Sequence, residues 1–163
     1  MSSLNLNLSR EPVAQAEMLV RRPAEEVFEA FVDPSVTTRF WFTKSSGRLS
    51  ADARVRWEWE MYGASAQVEV VELEPNHRLV IRWGDEANGF TKVEWTFTRR
   101  GENETFVSVV NSGFQGNGDA QVAQALDSTG GFTMMLCALK ALLEHGIALN
   151  VVADKAPDAH VQR

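Results

Sequence analysis

Residues 54–61 read RVRWEWEM, and this stretch decides how the middle of the chain folds. Val55, Trp57, Trp59 and Met61 alternate with arginines and glutamates, which is the period of two of a strand with one apolar and one wet face. We predict that the strand ends at the turn that follows and that its indoles face the protein interior.

The same alternation continues beyond that turn. One earlier strand and four later ones are predicted at 13–20, 66–73, 78–84, 91–99 and 105–111. The turns between the later strands are short and contain Gly, Asn, Asp or Pro, which favours an antiparallel meander with one wet face. The inward side chains of this meander are apolar except at the end of the last strand, where Asn111 follows two valines.

Two short helices are predicted after the first strand. Pro23 and the two glutamates that follow favour the start of a helix, and Asp33-Pro34 stops it. A second short helix is expected from about Ser35 to Trp41. The order of strand, short helices and meander is the first half of the predicted fold.

A long helix closes the chain. Apolar residues recur at helical spacing from Gly130 to Leu149, so one face of this helix must be buried. A separate helical segment capped by Asp119 is expected to run to about Leu126. Together these patterns predict an α+β fold in which a curved antiparallel sheet of about six strands wraps around a long C-terminal helix.

Composition restricts the class of protein. A chain of 163 residues without a linker is expected to form one domain, 1–163, with loosely ordered ends at 1–12 and 151–163. The net charge of −6 disfavours a nucleic-acid partner. No stretch of the sequence reaches the roughly 18 consecutive apolar residues that would predict a membrane span. The one cysteine, Cys137, excludes an intrachain disulfide, which is typical of a cytoplasmic protein, and we expect its thiol to be buried and inert.

The tryptophans are the main functional candidates. Trp57, Trp59, Trp83 and Trp95 would share one sheet face and offer flat apolar surface to a ring-shaped or aliphatic ligand. The alternative is that they only fill the core. The other candidate ligand-binding residues come from three places. The wall formed by the helix would consist of Phe132, Met135, Leu136 and Leu139, and the entrance of Phe40, Trp41 and Phe114. The one polar candidate is Asn111.

Polar chemistry is sparse at this site. An unpaired Asn111 amide in the interior would cost about 1–3 kcal/mol, so it binds either a ligand or the backbone at the strand end. The three histidines, His77, His145 and His160, have no metal-ligand spacing with a cysteine or carboxylate. We therefore expect no metal, no cofactor and no catalytic constellation.

Several segments, taken in order, resemble the SRPBCC superfamily, which has the START-like or helix-grip fold. Within it, the chain is similar to the C-terminal domain of activators of a heat-shock chaperone ATPase and to polyketide cyclase-like proteins. The resemblance covers about Val13 to Asn150. The matching stretches are PAEEVFEAF at 23–31, FWF at 40–42, LEPNHRL at 73–79, NSGF at 111–114, GGF at 130–132 and LKALLEHG at 139–146.

The resemblance implies a hydrophobic cavity between the sheet and the last helix. The superfamily includes lipid carriers, hormone binders, polyketide cyclases and chaperone regulators. We expect binding of a small hydrophobic or aromatic ligand in that cavity. The alternatives are a polyketide cyclase- or dehydratase-like enzyme and a chaperone-associated interaction protein, although a chaperone partner is not expected. A homodimer is left open.

Overall fold

The computed structural model describes residues 6–161, which fold into seven strands and four α-helices. The strands are β1 (Ala14–Val20), β2 (Lys44–Ser45), β3 (Arg54–Trp59), β4 (Ala64–Glu74), β5 (Arg78–Asp85), β6 (Gly89–Arg99) and β7 (Thr105–Ser112). The helices are α1 (Ala24–Val32), α2 (Pro34–Thr37), α3 (Gly118–His145) and α4 (Val151–Lys155). Short 3-10 turns lie at Glu60–Tyr62 and Pro157–Ala159.

The strands form one antiparallel sheet in the order β1-β7-β6-β5-β4-β3-β2. This confirms the α+β helix-grip fold, with seven strands rather than about six. The additional strand, β2, has only two residues and carries no alternation that a sequence pattern could reveal. In the pairing of β5 with β6, Trp83 lies opposite Thr91, and in that of β6 with β7, Val93 lies opposite Asn111. Trp83, Thr91 and Asn111 therefore gather at one end of the sheet.

The long helix differs from the prediction at both ends. It begins at Gly118 with Asn117 as its N-cap, whose side chain accepts a hydrogen bond from the amide of Ala120 at 2.9 Å, so Asp119 is not the cap. It ends at His145, because Gly146 takes a left-handed conformation with φ of 66°. The expected break before the Gly130-Gly131 pair was wrong, since the helix is continuous through it.

Tertiary packing explains this continuity. Two glycines in a helix interior cost roughly 2 kcal/mol relative to alanine. Residues on both sides of the pair are buried, namely Ala125 before it and Phe132, Met135, Leu136, Ala138, Leu139 and Leu142 after it. Burying one such Met or Leu side chain contributes about 1.5–3 kcal/mol, so a few contacts outweigh the cost of the glycines.

The core lies between the sheet, α1 and α3. Phe31 of α1 contacts Trp95 and Phe97 of β6, with ring centroids 5.7 and 5.9 Å apart. Phe42 stacks on Trp57 at 4.6 Å with an interplanar angle of 20°. These contacts cover Trp57 and Trp95, which are 1% and 0% exposed, so both indoles belong to the core.

Residues 151–161 of the C-terminal tail are hydrogen-bonded to the body of the protein. The Tyr62 hydroxyl donates a hydrogen bond to the carbonyl of Val152, and the amide of Val161 donates to the carbonyl of Met61 at 2.8 Å. At the other end, residues 6–12 have no regular secondary structure. The parts of the prediction that fall on residues 1–5 and 162–163 lie outside the described residues.

Cys137 corrects another expectation. Its side chain is exposed on the outer face of α3, between the buried residues Leu136 and Ala138. A helix turns by about 100° per residue, so a position next to a buried one can face solvent. No helix in the described part of the chain is long and apolar enough to span a membrane.

Candidate functional site

A cleft of about 740 Å³ lies between the tryptophan-bearing end of the sheet, the middle of α3 and the C-terminal tail. Its largest apolar side chains are Trp41, Trp59, Trp83, Phe114 and Phe132. We call this space the indole cleft. It is also lined by Tyr62, Gly84, Asn88, Gly89, Thr91, Asn111, Gln124, Asp127, Ser128, Gly131, Met134, Val152, Lys155, Ala156 and Ala159.

The predicted site residues fall into two groups. Those that line the cleft are Trp41, Trp59, Trp83, Asn111, Phe114 and Phe132. Those that are buried in the core without lining it are Phe40, Trp57, Trp95, Met135, Leu136 and Leu139. The wall of the cleft on the helix side is therefore built from the turn of α3 around Ser128 and Gly131 rather than from the expected residues beyond Phe132.

Trp41 separates the cleft from the core. Its ring centroid lies 5.0 Å from that of Trp57, 5.8 Å from those of Trp83 and Phe132, and 6.1 Å from that of Trp95. Most of these rings meet edge to face, the arrangement that the charge distribution of aromatic rings favours. Trp41 is 9% exposed, so one part of its indole faces the cleft while the rest is held by the core.

A hydrogen-bonded polar cluster lines part of the cleft. Asn111 is 2% exposed, and its Nδ2 donates to Thr91 Oγ1 at 3.0 Å and to the carbonyl oxygen of Lys92 at 2.8 Å. Its Oδ1 accepts a hydrogen bond from Ser128 Oγ at 2.8 Å. The indole Nε1 of Trp83 donates to Thr91 Oγ1 at 3.0 Å. Asn111 thus bonds to the backbone, which was one of the two alternatives predicted for it. Its hydrogen bonds also link β7 to β6 and to α3.

The tail and the helix meet at the mouth of the cleft. Asp127 of α3 and Lys155 of α4 form an ion pair at 3.9 Å. Both side chains are largely exposed, so this pair contributes little to stability. In the β5–β6 turn, hydrogen bonds from the amide and side chain of Asn88 hold the pKa of Asp85 below its ordinary value.

Sequence reasoning missed Thr91, Ser128 and the tail. Thr91 could have been found from register, because it lies directly opposite Trp83 in the hairpin. Ser128 could have been found from its position four residues before Phe132, on the same face of a helix, had the helix been predicted to start earlier. The sequence of the tail carries no comparable pattern. Its contribution to the wall of the cleft depends on the position in which Tyr62 holds it.

Other parts of the described surface are weaker candidates for a binding site. Within residues 6–161 no group of three or more His, Cys, Asp or Glu side chains is arranged to hold a metal ion. A second hollow of about 660 Å³ lies between the N-terminal segment 6–11 and the start of α3. Its walls are mainly polar backbone and side chains, so it lacks the flat apolar surface of the indole cleft.

Comparisons with known proteins agree with this architecture. The chain matches the family described as Activator of Hsp90 ATPase homolog 1-like protein over residues 21–144. No curated protein matches it in sequence. Among solved structures, it is similar to the protein SSP2350 from Staphylococcus saprophyticus, with 30% identity and a TM-score of 0.71 over 84% of this chain and 95% of that one.

Two further structures extend the comparison. DynU16, a protein of the dynemicin biosynthetic locus, is 25% identical with a TM-score of 0.72, over 85% of this chain and 49% of that one. The Aha1 dimer from Colwellia psychrerythraea is 18% identical with a TM-score of 0.68, over 82% of this chain and 97% of that one, and shows a common fold.

Proposed function

This chain belongs to the Activator of Hsp90 ATPase homolog 1-like family of the SRPBCC superfamily, and from that premise we propose that it binds a small hydrophobic or aromatic ligand in the indole cleft. The observation that carries the proposal is the composition of the cleft. The indoles of Trp41, Trp59 and Trp83 line it, together with a hydrogen-bonded polar cluster centred on Asn111. Apolar walls with a few fixed polar groups are typical of small-molecule sites.

Gly131 supports the view that the space is kept open. It lies in the interior of α3, where glycine costs about 1 kcal/mol relative to alanine. A Cβ atom at this position would meet nothing within 4 Å, so close packing does not require the glycine. Because Gly131 lines the cleft, any side chain there would occupy ligand space.

A cyclase- or dehydratase-like enzyme is the alternative, since DynU16 belongs to a biosynthetic locus. The ionisable residues of the described cleft wall are Tyr62, Asp127 and Lys155. The Tyr62 hydroxyl donates to the carbonyl of Val152, and Asp127 pairs with Lys155 at the mouth. Acid–base catalysis needs a group within hydrogen-bond reach of the reacting atom. The hydroxyl hydrogen of Tyr62 is taken by the backbone, and the Asp127 and Lys155 side chains are largely exposed to solvent rather than enclosed by the cleft. Binding is therefore the better-supported function.

The partner assignments follow from the same reasoning. The ligand is proposed to be small and apolar, and a chaperone partner is not proposed. A cytoplasmic location and a homodimer stay predictions, and the exposed free thiol of Cys137 fits the reducing compartment that the first of these assumes.

Native mass spectrometry of the freshly purified full chain, followed by denaturing extraction, tests the proposal. We expect a mass above that of the polypeptide, which collapses to the polypeptide mass on denaturation, and an apolar compound in the extract. The same sample is titrated with Nile red, a neutral dye whose fluorescence rises in apolar surroundings. A protein that carries no compound and does not bind the dye would overturn the proposal.

A further inference from the structure

The hydrogen bonds around Asn111 can be assigned a direction. Asn111 Nδ2 lies 2.8 Å from the carbonyl oxygen of Lys92, and because a carbonyl can only accept, the amide nitrogen and not the amide oxygen must face it. The same nitrogen gives its second hydrogen to Thr91 Oγ1 at 3.0 Å. Oδ1, which can only accept, must take the hydroxyl hydrogen of Ser128 at 2.8 Å. The orientation of this amide therefore follows from its neighbours.

Thr91 is left with one hydrogen to donate. The indole Nε1 of Trp83 is a donor only, so Thr91 Oγ1 must accept from it at 3.0 Å as well as from Asn111. A hydroxyl oxygen has two lone pairs, and both are then used. Among residues 6–161 no hydrogen bond takes up the remaining hydroxyl hydrogen, and Thr91 lines the indole cleft. The cleft therefore meets Thr91 as a donor.

Ser128 is the complement of Thr91. Its hydrogen is held by Asn111 Oδ1, so its oxygen offers only lone pairs to the cleft that it lines. The two hydroxyls bond to the two polar atoms of one asparagine amide, Thr91 of β6 to its Nδ2 and Ser128 of α3 to its Oδ1. A buried amide that fixes both directions makes the pair a pre-organised recognition element.

We propose that Thr91 and Ser128 form a donor–acceptor pair that selects a neutral ligand group in which a carbonyl oxygen adjoins an N–H or O–H, as in an aromatic carboxamide. The inference rests on the proposed ligand-binding function and defines the chemistry of that site. Thr91 donates to the ligand carbonyl, Ser128 accepts from its N–H or O–H, and Asn111 is a positioning residue that acts through both. A carboxylate is disfavoured, because its second oxygen would face the lone pairs of Ser128.

A series of four small probes tests this with the wild-type chain. Benzamide offers an acceptor and a donor, N,N-dimethylbenzamide only an acceptor, benzoate two acceptors and a charge, and toluene neither. Dissociation constants are measured from chemical-shift changes of the indole N–H groups. We expect benzamide to bind about three- to tenfold more tightly than dimethylbenzamide or benzoate, the effect of one hydrogen bond. Equal or tighter binding of either of these two would overturn the inference.

A matched pair of variants assigns the donor. Thr91→Val keeps the β-branched shape and removes the hydroxyl, while Thr91→Ser keeps the hydroxyl. We expect Thr91→Val to weaken the binding of benzamide about three- to tenfold more than that of toluene, and Thr91→Ser to bind both probes as the wild type does. Equal losses for both probes in Thr91→Val would show a structural role and contradict the inference. If toluene binds but no probe is preferred, only the polarity assignment fails, whereas binding of no probe would overturn the proposed function as well.

Discussion

Filling the indole cleft from within α3 is the most direct perturbation that the structure offers. Gly131 lines the cleft, whereas its neighbour Gly130 is exposed, and a Cβ atom at either position meets nothing within 4 Å. Gly131→Leu and Gly130→Leu therefore make the same chemical change one residue apart, the first into the cleft and the second into solvent. The pair separates effects on the helix from effects on the cleft.

The expected stabilities follow from helix propensity and burial. Replacing an interior helical glycine with leucine gains about 0.8 kcal/mol at either position. At Gly131 we expect the new side chain to enter the cleft, and burial of about half of its surface there would add about 1 kcal/mol. For a domain of this size we expect midpoints of thermal unfolding raised by about 2–3 °C for Gly130→Leu and about 4–7 °C for Gly131→Leu. Calorimetry measures both.

Binding should change in only one of the two variants. A leucine in the cleft displaces roughly 55 Å² of apolar contact with the ligand, which at about 25 cal/mol per Å² is about 1.4 kcal/mol or tenfold in the dissociation constant. Nile red titration should show this loss for Gly131→Leu and none for Gly130→Leu. A destabilised Gly131→Leu would show that the space is not open, and unchanged dye binding in that variant would show that the cleft is not the site.

Three further changes test the packing around the cleft. Burial of Glu144 would raise its pKa, but hydrogen bonds from a backbone amide and from the Lys140 ammonium outweigh this and hold the pKa below its ordinary value, so the bonds stabilise the fold at neutral pH. We expect Glu144→Gln to lose about 1–2 kcal/mol of unfolding free energy at pH 7. In urea titrations the difference from the wild type should shrink as the pH falls through the lowered pKa of Glu144, where the carboxylate becomes protonated in the folded state as well. A difference that does not change with acid pH would refute this assignment. Trp95 Nε1 is buried without a partner in the described chain. We therefore expect Trp95→Phe to cost less than about 1 kcal/mol of unfolding free energy, because the loss of an unpaired donor offsets the smaller ring. A loss above about 3 kcal/mol in the same titration would contradict this. Tyr62→Phe removes the hydroxyl that bonds to the tail. We expect the amide hydrogen exchange of residues 151–161 to accelerate about fivefold, while the exchange of β4 stays unchanged. Equal exchange in both proteins would mean that other contacts hold the tail.

The sequence was most informative where a pattern depends on neighbours along the chain. The period of two from Arg54 to Trp59 and its continuation through β7 predicted the sheet, because alternation reports directly which side of a strand is buried. The helix around Gly130 and Gly131 was predicted less well, since propensity is local while the burial that overrides it is tertiary. The exposed position of Cys137 followed from the orientation of α3, which apolar neighbours alone do not determine.

The division of the tryptophans between core and cleft was also beyond a sequence pattern. Trp57 and Trp59 share one face of β3, yet Phe42 stacks on the first and leaves the second at the cleft. Trp83 and Trp95 likewise point inward, but they lie at different positions along the sheet. Trp83 is paired with Thr91, whereas Trp95 lies four residues further along β6 than Thr91. Alternation predicts the face of a sheet, whereas the segment that covers each position is set by the tertiary fold.

This division provides the most direct test of ligand binding in the indole cleft. In a two-dimensional 1H–15N spectrum of the labelled full chain, the five indole N–H groups are assigned by single Trp→Phe variants and followed during titration with Nile red. We predict large shifts for Trp41, Trp59 and Trp83, which line the cleft, and small shifts for the buried Trp57 and Trp95. Five unmoved signals, or shifts confined to Trp57 and Trp95, would contradict the account.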